Sequence, residues 1–462
     1  MDKRSELLAD FSNKEQGLGL FELTINGLYV YGFLCRELRK RFLEKKNSIA
    51  DKDSINIVKK KSAKYVLLSF LRLLILYIFK RPIDTFVYSF YRVDKVGSVF
   101  LDKFSDPLID FSFIKENYIM FEKSNNYEHK KPRAHHSKVV YTDYIEQKAI
   151  HYAKRNLEIY KSEHSVELGV LWEKLDALMG DVSYNKDWTV TRLLRDIWMM
   201  NFYRGFFIKH KIKRFIAPCR AAFLPHMYVC KELGIPVFEL QHGYNYSMDS
   251  ITCIGYYNTH FVPDYFLSYG EIKNSERYGI EQNRIVNIGW AFSDYIKEFL
   301  SSDVFSQNHV LVITNNLSIN SLFKFIEILA REFPMITFGI RLHPLARMTE
   351  FAHQVVQNNK NIIIRDNSIN IALELNKYQM IIGDNSTVLA EALNLGKKVG
   401  KISFESIIPL YSSEEEKNAV WEISGEASFR VFVDSAPKTG LSFKLYSPFN
   451  RKLFEETICL GD

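Results

Sequence analysis

Cysteine is scarce: five residues in 462, Cys35, Cys219, Cys230, Cys253 and Cys459, with no CxxC pair among them. Wide spacing and an odd count exclude both a disulfide framework and a cysteine zinc site, and a reducing cytoplasm suits such a chain. Glycine and proline are also few, 21 and 12, so long flexible stretches are not expected. The first sixteen residues, MDKRSELLADFSNKEQ, are charged and lack the apolar stretch of a secretory signal. Several nucleotide and hydrolase signatures are missing. No GxxxxGK[ST] loop is present, which excludes P-loop phosphoryl transfer; no GxSxG elbow is present, and no GxGxxG follows a strand. No Asp-x-Asp pair closes a strand in the second half, so a metal-bound nucleotide-sugar site is not expected there.

Hydrophobic residues make up 47% and charged residues 25%, which places the chain among globular proteins of two or three domains. Net charge is 61 minus 54, or +7, and favours an anionic partner. The basic residues are dispersed and no RRM, zinc or helix-turn-helix signature accompanies them, so nucleic acid is not that partner. One apolar run tests the soluble reading. Residues 65–79, YVLLSFLRLLILYIF, are interrupted by Arg72 and fall short of the roughly 20 residues a spanning helix needs. Lys59, Lys60, Lys61 and Lys64 precede the run and Lys80 and Arg81 follow it, as at a helix lying on an anionic membrane surface. A buried or subunit-packing helix is the other reading.

Three domains are expected. Residues 1–80 read as a helical extension, 81–295 as an N-terminal Rossmann-like acceptor domain and 296–462 as a C-terminal Rossmann-like nucleotide-donor domain, an α/β fold throughout. The segment 83–93, IDTFVYSFYRV, has strand composition. The polar stretch 122–138 reads as an exposed loop, with His129, His135 and His136 solvated, and 140–210 reads as helical. Apolar strands then alternate with amphipathic helices: KRFIAP (213–218), IPVFELQ (235–241), DYFLSYG (264–270), RIVNIGW (284–290), and after a hinge HVLVIT (309–314), MITFGIRL (335–342), NIIIRD (361–366), QMIIG (379–383) and KVGKI (398–402). That alternation implies parallel sheets.

Open parallel sheets bind ligands at the carboxyl ends of their strands. Three ends carry chemistry. Gln241-His242-Gly243-Tyr244 puts an imidazole at a strand end, either as a base or as a histidine bonded to backbone. Arg341-Leu342-His343-Pro344 offers a guanidinium fork and an imidazole for phosphate, or a solvated pair. Gly383-Asp384-Asn385-Ser386-Thr387 opens a helix, as an anion cradle or as plain capping; Glu391 follows one turn deeper on the same face, suited to ribose hydroxyls.

In order and spacing these motifs resemble bacterial glycosyltransferases of the GT-B architecture, of the capsule and surface-polysaccharide type, over about residues 210–400. The likeness is to CMP-Kdo and CMP-sialic acid transferases and to CDP-glycerol glycerophosphotransferases. It implies that Arg341, His343, Pro344, Asn385, Ser386 and Thr387 hold the donor phosphate and that Glu391 touches the ribose. The base is open between His242 and a carboxylate, with Asp106, Asp110 and Glu239 as candidates. The expected activity is transfer of a sugar, from a CMP-sugar by preference, to a polysaccharide or lipid-linked acceptor, without metal or cofactor, in the cytoplasm or at the inner-membrane surface. A CDP-polyol phosphotransferase, a nucleotide-sugar epimerase or hydrolase, and a non-enzymatic assembly protein at the membrane are the alternatives.

Overall fold

The computed structural model describes residues 3–46, 63–79, 82–89, 93–124, 129–242, 258–272, 279–300, 304–305, 307–314, 319–343, 346–384, 386–403, 418–438 and 446–460, with side chains from Leu7 onward. Pro344, Asn385, Gly243 and Tyr244 of the expected site lie outside them.

The chain opens with α1 (Lys3–Gly17), a small hairpin of β1 (Thr24–Ile25) and β2 (Leu28–Tyr29), α2 (Tyr31–Lys46) and α3 (Ala63–Ile78). The first sheet unit follows: β3 (Thr85–Ser89), the antiparallel pair β4 (Val93–Val96) and β5 (Val99–Asp102), α4 (Asp106–Asp110), β6 (Tyr118–Glu122), β7 (Val139–Tyr141), α5 (Asp143–Glu163), α6 (Ser165–Met179), α7 (Lys186–His210), β8 (Arg214–Pro218), α8 (Leu224–Leu233), β9 (Val237–Leu240), β10 (Tyr265–Ser268), β11 (Ile285–Asn287) and α9 (Ala291–Ile296). The second comprises β12 (His309–Ile313), α10 (Ile319–Glu332), β13 (Thr337–Arg341), α11 (Glu350–Asn358), β14 (Ile362–Ile364), α12 (Ile371–Lys377), β15 (Met380–Gly383), α13 (Val388–Asn394), β16 (Lys398–Ile402), β17 (Trp421–Ile423) and α14 (Glu426–Asp434), and α15 (Arg451–Ile458) ends the chain.

Both large sheets are parallel. The first has the order β11-β10-β9-β8-β3-β6-β7 and the second β14-β13-β12-β15-β16-β17. In each, the chain starts at a central strand, adds two outward on one flank, then returns to that strand's other flank, which is the Rossmann order. The two Rossmann-like domains of the GT-B expectation are therefore present, preceded by helices. Strands such as β3 and β8 are buried along their whole length, as parallel strands covered on both faces must be.

The helices at the start of the chain pack into the first sheet's core. Phe11, Leu34 and Phe42 share one apolar cluster with Phe86, Phe215 and Phe261, and a Cβ on Gly32 would overlap the Phe261 ring. Buried Glu15 ties α1 to α2, accepting from the Tyr31 hydroxyl at 2.6 Å and Arg39 Nε at 2.9 Å. Helix α3 lies along the edge strand β7: Arg72 donates to the carbonyls of His136 and Val139, and Ser69 Oγ to that of Tyr141. Those carbonyls would otherwise face outward on an unpaired edge.

The chain end returns to the first sheet. Tyr446, Phe454 and Ile458 share a cluster with Val87, Ile216 and Phe238; the Trp290 amide donates to Ser447 O at 2.9 Å and the Asn450 amide to Ile288 O at 2.7 Å. Gly289, at φ +73°, lets the two segments approach, since a Cβ there would overlap the Pro448 carbonyl.

Candidate functional site

Strand order locates the crevice of the second sheet between β12 and β15, where the direction of winding reverses. Thr314 follows β12, His343 follows β13, and Asp384, Ser386 and Thr387 follow β15 into α13. The sequence-identified donor residues thus converge on one sheet edge. Gly383 is required at the end of β15, because a Cβ there would come within 2.8 Å of the Ile313 carbonyl on β12. Thr314 Oγ1 accepts the His343 amide at 2.8 Å, and the Thr314 amide donates to Arg341 O at 3.1 Å. Together these bonds fix the height at which His343 leaves the sheet.

Arg341 has a structural commitment that the sequence does not reveal. Its fork donates to the backbone carbonyls of Asp366, Asn367 (3.2 Å) and Ile369, so it fastens the loop after β14 beneath the crevice. Ser386 Oγ accepts the Val388 amide at 3.3 Å, whereas exposed Thr387 makes no side-chain capping bond.

Glu391 on α13 reaches the first domain. Its Oε1 accepts from Lys103 Nζ at 2.9 Å across 288 residues of chain, with side-chain exposures of only 15% for Lys103 and 7% for Glu391. The Lys103 ammonium also lies 5.5 Å from the Phe104 ring and 5.7 Å from the Trp290 ring. Three buried polar atoms around this bridge have no hydrogen-bond partner among the described residues: Glu391 Oε2, the Tyr269 hydroxyl and Trp290 Nε1. Tyr269 and Trp290 stack at 5.7 Å between ring centroids, and Tyr446 stacks on Trp290 at 4.6 Å. Burial, reinforced by the charge of Asp102, holds the Tyr269 hydroxyl well above its usual value, so it remains a donor. Buried polar groups without partners cost stability, and their concentration at a domain junction marks a place where a polar ligand would satisfy them.

His242 stands at the end of β9 in the first sheet, half-buried, with its ring 6.3 Å from that of Phe104, the neighbour of Lys103. Gln241 before it is buried and accepts the Tyr269 amide through Oε1 at 2.7 Å, which anchors the strand end carrying the imidazole.

The carboxylate candidates are ion-paired. Glu239 accepts from Arg220 Nε at 2.6 Å and from the Arg220 amide at 2.8 Å. Asp106 accepts from Arg133 Nη1 at 2.5 Å and from the Asp102 amide at 2.6 Å. Asp110 lies 3.1 Å from His135 Nε2. Burial raises Asp106 despite the opposing guanidinium of Arg133. Asp102, which the motif reading passed over, accepts from Ser89 Oγ at 2.8 Å and the Phe104 amide at 2.9 Å. Burial and then the charge of Asp106 push it up from 3.8 to about 6.

The solvated reading of His129 is corrected; the exposed reading of its loop holds for Lys130, Lys131, Pro132 and His136, which are exposed, and fails for Glu122, His129 and Arg133, which are buried. His129 is buried between Glu122 (3.1 Å) and Asp143 (2.8 Å), and Arg133 is buried beside it with Nε 2.5 Å from Glu122. Burial works against charge on this imidazole, but its bonds to Asp143 and Glu122 outweigh it and raise the pKa. Glu122, His129 and Arg133 of this segment join Asp143 in an internal ion-pair network, the arrangement that makes buried charge tolerable.

Lys103, Tyr269, Trp290 and Tyr446 gather at this candidate site and were missed by motif reading. A signal existed for two of them, since Tyr269 directly follows β10 and Trp290 stands three residues past the end of β11.

No protein-family model matches this chain, and no curated protein matches it. Solved structures similar to it include a UDP-GlcNAc 2-epimerase from Methanocaldococcus jannaschii, with TM-score 0.49 and 13% identity over 82% of this chain and 99% of that one. A UDP-N-acetylglucosamine 2-epimerase from Rickettsia bellii gives 0.48 and 10% over 82% and 96%. The glycotransferase of kitacinnamycin gives 0.42 and 9% over 76% and 90%. Identities this low and superpositions this loose bear on no reaction, and the fold rests on the chain's own strand order.

Proposed function

We propose that this chain is a glycosyltransferase that moves a sugar from a nucleotide donor, a CMP-sugar by preference, to a polysaccharide or lipid-linked acceptor of the bacterial surface, without a metal ion. The observation that carries the reading is the bridge between Glu391 and Lys103 at the junction of the two sheets, with a second buried carboxylate oxygen that has no partner among the described residues. Glu391 Oε2 accepts a ribose hydroxyl of the donor. His343 and the amides at Ser386 and Thr387 meet the phosphate, whose negative charge grows as the nucleotide departs. Arg341 serves them by holding the 366–369 loop and by its charge.

His242 is the base. An acceptor hydroxyl is a weak nucleophile at neutral pH, so its proton passes to the imidazole as its oxygen bonds to the anomeric carbon and the bond from that carbon to the phosphate oxygen breaks. The nucleotide leaves with the electron pair. Geometry supports His242 over either carboxylate: Glu239 is held by Arg220 and Asp106 by Arg133, both inside the fold, whereas His242 stands half-buried just past the end of β9.

Incubation of the protein with nucleotide-sugar, with and without a lipid-linked acceptor, tests the reading. Acceptor-dependent release of nucleotide, unchanged by EDTA, is expected. Conversion of donor alone to an epimer assigns the chain to the epimerase reading, hydrolysis alone to the hydrolase, and a divalent-metal requirement removes the proposed phosphate site.

A further inference from the structure

The surface of α3 is apolar where no described residue covers it. Its inner face, Tyr65, Ser69, Arg72, Leu73 and Leu76, recurs at helical spacing and packs on the sheet edge and the first core. Its outer face carries Leu67, Phe70, Leu71, Leu74, Ile75 and Ile78, followed by Phe79, all exposed, with Ile75 at 53% and Ile78 at 61%. A helix seated by polar bonds on one face and apolar on the other is an oriented surface, not a misplaced core element.

The rim of this strip is basic. Lys64 stands exposed at its start, and Lys131 Nζ lies 5.5 Å from the Tyr65 ring. Lys148 lies 5.4 Å from Tyr144, which packs on Phe70 at 5.1 Å. At the far end Lys209 bonds the Tyr77 carbonyl at 2.8 Å and sits over its ring. The helix itself contains no Asp or Glu. Of the acidic groups in the first turn of the neighbouring α5, Asp143 is buried against His129 and Glu146 accepts from Thr142. In sequence, Lys59, Lys60 and Lys61 precede α3, and Lys80 and Arg81 follow it.

We propose that this strip docks on an anionic lipid bilayer, with α3 lying in the interface. Charge selects the occupant. Apolar side chains flanked by lysines match acyl chains bordered by phosphate. Area argues against a second copy: 16 residues of helix offer a footprint of about 24 by 10 Å, roughly 240 Å², against the roughly 800 Å² per partner that a stable protein interface buries. The chain's own residues 47–62, NSIADKDSINIVKKKS, hold only four large aliphatic side chains, too few to cover the strip. Crossing the bilayer is not required, since among the described residues no helix is long and apolar enough to span it.

The docking has a consequence for the reaction above, although it does not depend on that reading. The Tyr65 ring contacts His129 and Tyr141 at the carboxyl end of β7, so α3 begins at the sheet edge where strand ends carry the candidate site. A bilayer on α3 brings lipid-linked molecules to that edge.

Sedimentation of the full chain with vesicles tests the proposal, using phosphatidylcholine alone and an equal mixture with phosphatidylglycerol, at low and high salt. The wild-type chain is expected to pellet with the anionic vesicles at low salt. The partition coefficient falls more than tenfold in the double variant Leu71→Asp, Ile75→Asp and several-fold in Lys64→Glu, Lys148→Glu, with unchanged thermal unfolding as the folding control. Absence of pelleting with anionic vesicles overturns the proposal, as does equal binding by the Asp variant. A dimer in light scattering that the Asp variant splits, without vesicle binding, overturns it in favour of a second copy. Nucleotide binding in solution is measured separately, so failure here leaves the reaction reading standing.

Discussion

Replacing Lys103 by Met keeps the aliphatic stem against Phe104 and Trp290 and removes only the charge that Glu391 faces. Among the described residues the carboxylate is then left with no partner on either oxygen, because Oε2 has none there already. Removing one member of a buried pair costs about 3–5 kcal/mol, and the lower end applies where one partner keeps some contact with water, so about 3 kcal/mol is expected. Glu391→Gln in the same background removes the orphaned charge, and Lys103→Met, Glu391→Gln should recover most of the loss, giving a coupling energy of about 2 kcal/mol. Urea unfolding followed by tryptophan fluorescence measures the stability; Trp290, whose ring lies 5.7 Å from the ammonium, is one of the five tryptophans that contribute. A Lys103→Met variant within about 0.5 kcal/mol of wild type, with the two substitutions additive, would refute the reasoning that this bridge joins the domains in a dry environment.

Other expectations follow from the same geometry. His242→Ala should lower turnover by about 10²–10⁴-fold and leave nucleotide affinity unchanged, and equal losses in both would make His242 a binding residue. Asp102 has a folded pKa raised from 3.8 to about 6; its protonated form is the one the fold favours, so its contribution is full below pH 3.8 and is lost as pH rises through 6. The change amounts to about 3 kcal/mol. Unfolding free energies of Asp102→Asn and wild type between pH 4 and 7 should therefore diverge in slope, and parallel curves would contradict the assignment. Gly289→Ala places a methyl group on the Pro448 carbonyl at a backbone φ of +73°, and should cost about 1–3 kcal/mol or more, read as a lower denaturation midpoint.

Much of the fold was legible because parallel strands buried on both faces are nearly continuous apolar runs. HVLVI, MIIG and KVGKI could hardly be anything else, and turn residues separate them. Strands β6 and β7 were hidden, since YIMFE adjoins a polar segment and VVY is only three residues long. That segment looked solvated because its charges are visible in sequence and their pairing is not: His129, Arg133, Glu122 and Asp143 satisfy one another inside the protein. The strand-end rule found His242, His343 and Ser386, whose positions depend on local chain direction. It could not find Lys103, whose meaning comes from Glu391, 288 residues away, nor the return of Tyr446 to Trp290. Arg341 shows the complementary limit, since a guanidinium at a strand end serves backbone carbonyls as well as phosphate.

Calorimetric titration of the wild-type chain and of Glu391→Gln with CMP, CDP, UDP and GDP tests the central claim most directly, that a nucleotide occupies the junction at Glu391. One nucleotide should bind the wild type and lose about tenfold or more in affinity in the variant, as expected for a hydrogen bond to a charged acceptor. Equal affinity in the two proteins, or binding of none of the four nucleotides, would contradict it.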